Sequence, residues 1–276
     1  RLEMNKYLVV TAAATQVRDF QWLTHHIPSD ARVVATDVTS SMTVIGIMGP
    51  QSRAFLQSLA PNDMSNEDFP FGTSREIEIA YGFVRASRIT YVGELGWELY
   101  IPTEQALGVY DSLVKAGEAF GLRHIGMHAM NSLRIEKAYR HWGNDITDED
   151  TPLEAGLGFA VDMKKACGFI GKEALEKQQK LGIKKRLVQF ALTDPDPLLY
   201  HNEPILRDGQ IVGHLSSGAY GHHLGGAIGL GYVPCAGESA AQVLASTYEI
   251  DVAGSRIVAE VSVKPMYDPD GARPKG

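Results

Sequence analysis

From Arg186 onward the chain consists of short apolar runs cut by glycine-rich turns, and no stretch keeps a helical period. The runs are RLVQFAL, EPILRDGQIVGHLSSG, GAIGLGYVP and YEIDVAGSRIVAEVSV. Short strands at close, regular spacing restrict such a segment to a sandwich or a barrel. Asp208-Gly209, set between two apolar runs, is the pair that a two-residue hairpin turn favours, because both of its central residues need positive φ. The other glycines of GHLSSGAYGHHLGGAIGLG read as tight turns of the same β unit. They do not read as a dinucleotide loop, which needs a strand before the glycines and a helix after them. Just upstream, GKEALEKQQKLGIKKR is a polar helix whose closing basic run is a solvated face. These features divide the chain into residues 1–165, a linker helix over 166–184 and a β-barrel over 185–276.

The first part alternates strands and helices. KYLVVT (6–11), ARVVATDVT and MTVIGIMG read as strands, and ATQVRDFQWLTHHI places Val17, Phe20 and Leu23 at helical spacing. GPQSRAFLQSLA starts a helix with Pro50 near its first position, where the missing N–H costs nothing. REIEIA and GFVRASRITYVG form a hairpin about Tyr81-Gly82 and lead into a further strand, GWELYIP. A long helix over TEQALGVYDSLVKAGEAFG has Thr103 as its N-cap and Gly121 as its stop, and another spans about Met127 to Tyr139.

Composition bounds the partners. A formal net charge of −7 lacks the basic footprint of a nucleic-acid binder. No apolar run reaches the length of a membrane span, and no signal peptide is visible, so no membrane partner is expected. Two cysteines, Cys167 and Cys235, make neither a disulfide framework nor a zinc knuckle. They point to a reducing compartment, the cytoplasm or alternatively the mitochondrial matrix. The chain begins at Arg1 and runs almost at once into a strand-like segment, which reads as the continuation of an upstream part.

Few residues are arranged for chemistry. His124 and His128 are four apart, but Gly126 lies between them where a zinc hydrolase has glutamate, so a structural or surface role is favoured and no metal site is expected. No Gly-x-Ser-x-Gly elbow or cysteine nucleophile motif occurs. Two segments remain, ITYVGELGWELYIP and NSLRIEKAYRHWGNDITDEDTPLEAGL. In a strand Trp97 and Glu98 point to opposite faces. A carboxylate facing a cleft can accept two parallel hydrogen bonds from an amidine-like N–H pair, as the amino-pyrimidinone edge of a pterin presents. Glu98 is either that carboxylate or an ordinary solvent-facing strand residue. Tyr91, seven residues earlier, supplies a ring face or hydroxyl to the same cleft, or belongs to the core. The acidic run after Gly143 is either a surface loop capped by Asp148 or Thr151, or a loop that closes over a ligand.

Taken in order, YVGELGWELYIP, NSLRIEKAYRHWGNDITDEDTPLEAGLGFAVD, FIGKEAL and GQIVGHLSSGAYGHHLGGAIGLGYV resemble the glycine-cleavage T-protein family of folate-dependent aminomethyltransferases. HAMNSLRIEKAYRHWGNDI is most similar to the folate-binding C-terminal region of flavin-dependent dimethylglycine and sarcosine dehydrogenases or oxidases, and KPMYDPDGARPKG resembles the end of that group. The resemblance implies an α+β fold, a cloverleaf of subdomains around a folate channel that ends in a β-barrel. It implies tetrahydrofolate as cofactor, Glu98 on the pterin ring, Tyr91 lining the pocket and Glu94 as a positional residue at the turn. It implies a small methylamine or aminomethyl substrate and an upstream FAD domain. Met130 stands where the glycine-system enzymes carry arginine, a departure that favours the dehydrogenase-associated group. The family's catalytic aspartate is expected just upstream of Arg1-Leu2, so no catalytic residue is assigned within the chain. The alternatives are a stand-alone aminomethyltransferase working with a lipoyl carrier, and a non-catalytic regulatory subunit of the same fold.

Overall fold

Two apolar sets far apart in sequence each close around their own core, and a smaller third set joins them. The computed structural model describes all residues from Arg1 to Gly276. Helix α1 (Gln16–His25) and strand β1 (Met42–Met48) are followed by α2 (Ser52–Gln57), β2 (Ser74–Ile79), β3 (Gly82–Ser87) and β4 (Gly96–Pro102). The four strands form one antiparallel sheet in the order β1-β4-β3-β2. Alternation along them sends Ile77, Ile79, Val84, Ala86, Trp97, Leu99 and Ile101 to one face. There they meet α2 and α3 (Ala106–Gly117), which contribute Phe55, Leu56, Val109 and Leu113. Each fully buried Leu, Ile or Phe side chain here contributes about 1.5–3 kcal/mol relative to an exposed one.

Several sequence expectations change. KYLVVT and ARVVATDVT form no strands: residues 7–12 and 32–38 carry no regular structure, and Tyr7, Val9, Val10 and Val34 are exposed. An apolar run becomes a strand only where a sheet edge accepts its N–H and C=O groups, and the edge at β1 is paired only with β4. The β2–β3 turn sits at Ala80-Tyr81, both at positive φ (48° and 70°), and Gly82 already pairs with Ile79. Strand β3 ends at Ser87, so Tyr91 lies in a connection rather than in a strand. Thr103 does not cap α3; its hydroxyl donates to the Ser40 carbonyl at 3.0 Å. Gly121 does take the left-handed conformation that closes this helical segment.

Helix α4 (Met127–Glu136) leads through the acidic loop to α5 (Lys172–Leu181). The β-unit then runs β5 (Lys185–Leu192), β6 (Pro204–Arg207), β7 (Gln210–Gly221), β8 (Gly226–Pro234), the short α6 (Ala240–Leu244), β9 (Tyr248–Val252) and β10 (Ser255–Ser262). These six strands close into a barrel in the order β10-β5-β8-β7-β6-β9. Its interior holds Val188, Phe190, Leu215, Val233, Tyr248 and Ile250. The Asp208-Gly209 hairpin forms as expected, with φ of 50° and 80°. The remaining glycines are mostly not in turns. Gly213, Gly218, Gly229 and Gly231 lie inside β7 and β8. A Cβ on Gly218 would sit 2.6 Å from the Leu199 backbone carbon, so these glycines allow a close backbone approach.

The two units meet at α4. Ile135 and Ala138 pack with Leu187, Ile228 and Leu230 of the barrel. The barrel's Gln189 donates to the carbonyls of Ile135 (2.7 Å) and Glu136 (3.1 Å), satisfying two orphan acceptors at the helix end. The acidic loop exposes Asp148 and Glu149 to solvent but is anchored at its other acids. Asp145 is fully buried and receives Arg134 Nη1 at 2.5 Å, the His141 N–H at 2.8 Å and the Ser216 hydroxyl at 2.5 Å. Asp150 pairs with Lys185, and Thr151 with Glu154. No helix is long and apolar enough to cross a membrane.

Candidate functional site

Strand β4 carries a single acid, Glu98, on the face opposite the first core. Trp97 is fully buried, with Phe69 edge-on at 6.0 Å and the guanidinium groups of Arg53 and Arg88 over its ring. Glu98 therefore faces out, half-buried, as strand alternation requires. Its cross-strand neighbours are Gly46 on β1 and Ser87 on β3. Both are small, and a Cβ on Gly46 would meet nothing closer than 3.5 Å, so the carboxylate stands in a shallow gap in the sheet face. The next row is Val44, Tyr100 and Arg85.

Only one protein group engages the Glu98 carboxylate. The Tyr100 hydroxyl donates to Oε2 at 2.7 Å, and Oε1 accepts nothing within the chain. Burial, and then this hydrogen bond to an anion, push the Tyr100 hydroxyl far above its ordinary pKa, so it remains a donor. The carboxylate is thus oriented from one side and open on the other. Tyr100 was not singled out from the sequence, although its position two residues beyond Glu98 on the same strand face is a usable signal.

Tyr91 lies in the β3–β4 connection. Its hydroxyl donates to the Arg140 carbonyl at 3.1 Å, and its ring stacks on Tyr139 with centroids 6.4 Å apart. Burial raises the pKa of both phenols. Tyr91 shares no hydrogen bond with Glu98. Beside it, the Arg140 guanidinium holds the carbonyls of Ala155 (3.0 Å) and Ala138 (2.6 Å) and makes no ion pair. Burial lowers its pKa, while the Tyr232 hydroxyl and the Asp145 carboxylate oppose that effect. Glu94 turns away from this face and accepts the Tyr267 hydroxyl at 3.0 Å, a contact between residues 173 apart. His124 bonds the Tyr110 hydroxyl at 3.0 Å.

A carboxylate open on one side can hold a polar heterocycle edge-on by hydrogen bonds. An α+β unit joined to a closed six-stranded barrel has the architecture of the aminomethyltransferase T of the glycine cleavage system. A crystal structure of that protein from Bartonella henselae superposes with a TM-score of 0.77 at 24% identity, covering 93% of this chain and 67% of its own. Family models agree: the GCVT N-terminal domain matches residues 1–165, and the glycine cleavage T-protein C-terminal barrel domain matches 185–268. The chain belongs to the glycine cleavage T-protein family.

Within that family its relatives include oxidases and dehydrogenases, a stand-alone transferase and, at 34% identity over 96% of this chain, the mitochondrial pyruvate dehydrogenase phosphatase regulatory subunit of Mus musculus. It is 41% identical to the 4-methylaminobutanoate oxidase (formaldehyde-forming) of Paenarthrobacter nicotinovorans, over 100% of this chain and 33% of that protein. It is 40% identical to the mitochondrial sarcosine dehydrogenase of Homo sapiens, over 87% of this chain and 26% of that one. The aminomethyltransferase of Shouchella clausii is 33% identical over 97% of this chain and 71% of its own length. The chain thus spans about a third of the length of the oxidase and dehydrogenase relatives. The domain is of aminomethyltransferase type, shared by sarcosine and dimethylglycine dehydrogenases and by stand-alone transferases.

Proposed function

We propose that this chain is the tetrahydrofolate-binding, one-carbon-transfer region of a flavin-dependent demethylating dehydrogenase or oxidase acting on an N-methylglycine-type amine. The observation that carries the reading is the Glu98 carboxylate, oriented by Tyr100, with Oε1 free beside Gly46 and Ser87. The donor set fits a pterin: an anionic acceptor meets an amino-pyrimidinone N–H pair in a charge-assisted contact. Bound folate would supply the nucleophilic nitrogen that takes up the one-carbon unit. This chain's residues would orient it, Glu98 by its carboxylate and Tyr91 as part of the wall, so that the reaction becomes intramolecular in effect.

The greater length of the oxidase and dehydrogenase relatives is in keeping with a further FAD domain in the whole protein. In this organisation residues 1–165 form the folate-binding domain, 166–184 the linker helix and 185–276 the barrel domain. The compartment is a reducing one, cytoplasm or mitochondrial matrix, in keeping with an exposed free Cys167.

The test is Glu98→Gln, with tetrahydrofolate binding measured by calorimetry on the intact protein. Tyr100 donates its hydroxyl hydrogen, so it would select the amide oxygen and turn the NH₂ toward the ligand. One acceptor is lost and a donor faces a donor. The loss of a charge-assisted bond of about 1.5–3 kcal/mol weakens binding about ten- to a hundredfold. Equal affinity in wild type and variant would reduce Glu98 to an ordinary strand residue and remove the pocket assignment.

A further inference from the structure

We propose that the C-terminal segment Pro265–Gly276 is a positioning strap for the β3–β4 connection, residues 88–95, and so for the wall that Tyr91 builds. The consequence for ligand binding rests on the folate reading of Glu98 and Tyr91; the grip itself rests on contacts alone. After β10 the chain leaves the barrel, with the Met266 N–H held by Gln189 Oε1 at 2.8 Å. Tyr267 then stacks on His223, centroids 4.1 Å apart and planes 20° apart, and its hydroxyl reaches Glu94. His223 is itself fixed by the fully buried Glu136, which accepts its ring nitrogen at 2.8 Å and its N–H at 2.6 Å.

The next contact acts through Lys137. Its ammonium is bound by the Asp268 carboxylate at 2.8 Å and the Asp268 carbonyl at 2.7 Å. Its stem lies directly under Gly93: a Cβ there, at φ +75°, would fall 2.1 Å from Lys137 Cγ. The short helix α7 (Ala272–Lys275) follows, and the Lys275 carbonyl accepts Arg88 Nη2 at 2.5 Å. Arg88 is buried and also holds the Phe69 carbonyl at 2.7 Å. The connection is therefore gripped on both sides of Tyr91: directly at Arg88 and Glu94, by residues 187 and 173 positions later, and at Gly93 through Lys137, which Asp268 holds. Its own backbone forms no ladder between 88 and 95.

The hydroxyl of Tyr267 is the separable part. Tyr267→Phe keeps the ring on His223 and removes only the bond to Glu94. Glu94→Ala removes the same bond from the other side, and Glu94→Gln retains an acceptor oxygen and rescues it. The experiment combines hydrogen exchange of residues 89–94 in the intact, ligand-free protein with tetrahydrofolate calorimetry on the same samples. Tyr267→Phe and Glu94→Ala should each speed exchange about three- to tenfold and weaken tetrahydrofolate by a similar factor. The double variant should match either single, because one bond is lost once, and Glu94→Gln should stay within about threefold of wild type. Unchanged exchange in Tyr267→Phe, or additive losses in the double variant, would overturn the strap. Faster exchange with unaltered affinity would overturn its positioning role. Glu98→Gln runs alongside: if that variant binds normally, the folate reading fails, and exchange alone decides whether the strap holds the loop.

Discussion

Asp145→Ala would strand a guanidinium where water does not reach it. Asp145 is fully buried and Arg134 is 2% exposed, so neither charge has solvent to fall back on. Removing the carboxylate leaves Arg134 bonded to the Tyr139 carbonyl (3.0 Å), the Ser217 hydroxyl (2.8 Å) and Asn131 (3.2 Å), with no counter-ion. It also strips an acceptor from the His141 N–H and the Ser216 hydroxyl. Breaking a buried pair from one side costs about 3–5 kcal/mol, and Arg134→Met should cost a similar amount. Replacing both, Arg134→Met with Asp145→Leu, removes both uncompensated charges and should cost less than the two singles together by at least about 1–2 kcal/mol. The assay is urea denaturation followed by the fluorescence of the buried Trp97, with the three variants and wild type closing a double-mutant cycle. Arg134 and Asp145 precede the barrel while Ser216 and Ser217 belong to β7, so circular dichroism of the barrel should follow the same transition. Single variants costing under about 1 kcal/mol, or strictly additive losses, would refute the claim that this pair is a desolvated junction between the two units.

Glycine position should separate backbone crowding from backbone conformation. Gly218→Ala would press a methyl to 2.6 Å from the Leu199 backbone carbon and should cost about 1–3 kcal/mol, while Gly225→Ala, at φ +75° with nothing within 4 Å, should cost about 1–2 kcal/mol in denaturation. Tyr81→Gly should stabilise by about 1 kcal/mol in the same assay, since Tyr81 is 98% exposed and held at φ +70°. Acid titration should expose Asp268. Burial alone would raise its pKa, but the Lys137 ammonium and the N–H groups of Ala272 and Arg273 hold it below the ordinary 3.8. Its stabilising contribution is thus complete above about pH 4 and lost as pH falls through the lowered folded value, so Asp268→Asn should destabilise at neutral pH and flatten the acid limb.

The parts of the fold legible in the sequence are those whose cause is local. Asp208-Gly209 names its own hairpin because the turn demands two positive φ values and these residues tolerate them. The β2–β3 turn falls at Ala80-Tyr81, one residue before the Tyr81-Gly82 that composition favours, because there the sheet register imposes the strained conformation on residues that do not advertise it. Trp97 and Glu98 follow from alternation once β4 is granted. What Glu98 faces does not, because its open side is created by Gly46 and Ser87 on strands far away in sequence.

Periodicity and turn chemistry, which act over a few residues, determined the sheet-and-helix first part, the all-β character of the unit that follows and the face on which Glu98 emerges. Tertiary structure decided the rest wherever the cause is a partner. KYLVVT has strand composition yet pairs with no strand of the sheet, although β1 leaves an edge free. Asp145 has loop composition, yet Arg134, His141 and Ser216 allow its charge to be buried. Glu94 meets Tyr267 only because the barrel returns the end of the chain to the β3–β4 connection. Burial and pairing are properties of a neighbourhood, and a neighbourhood assembled from segments 70 to 170 residues apart leaves no period in the sequence to read.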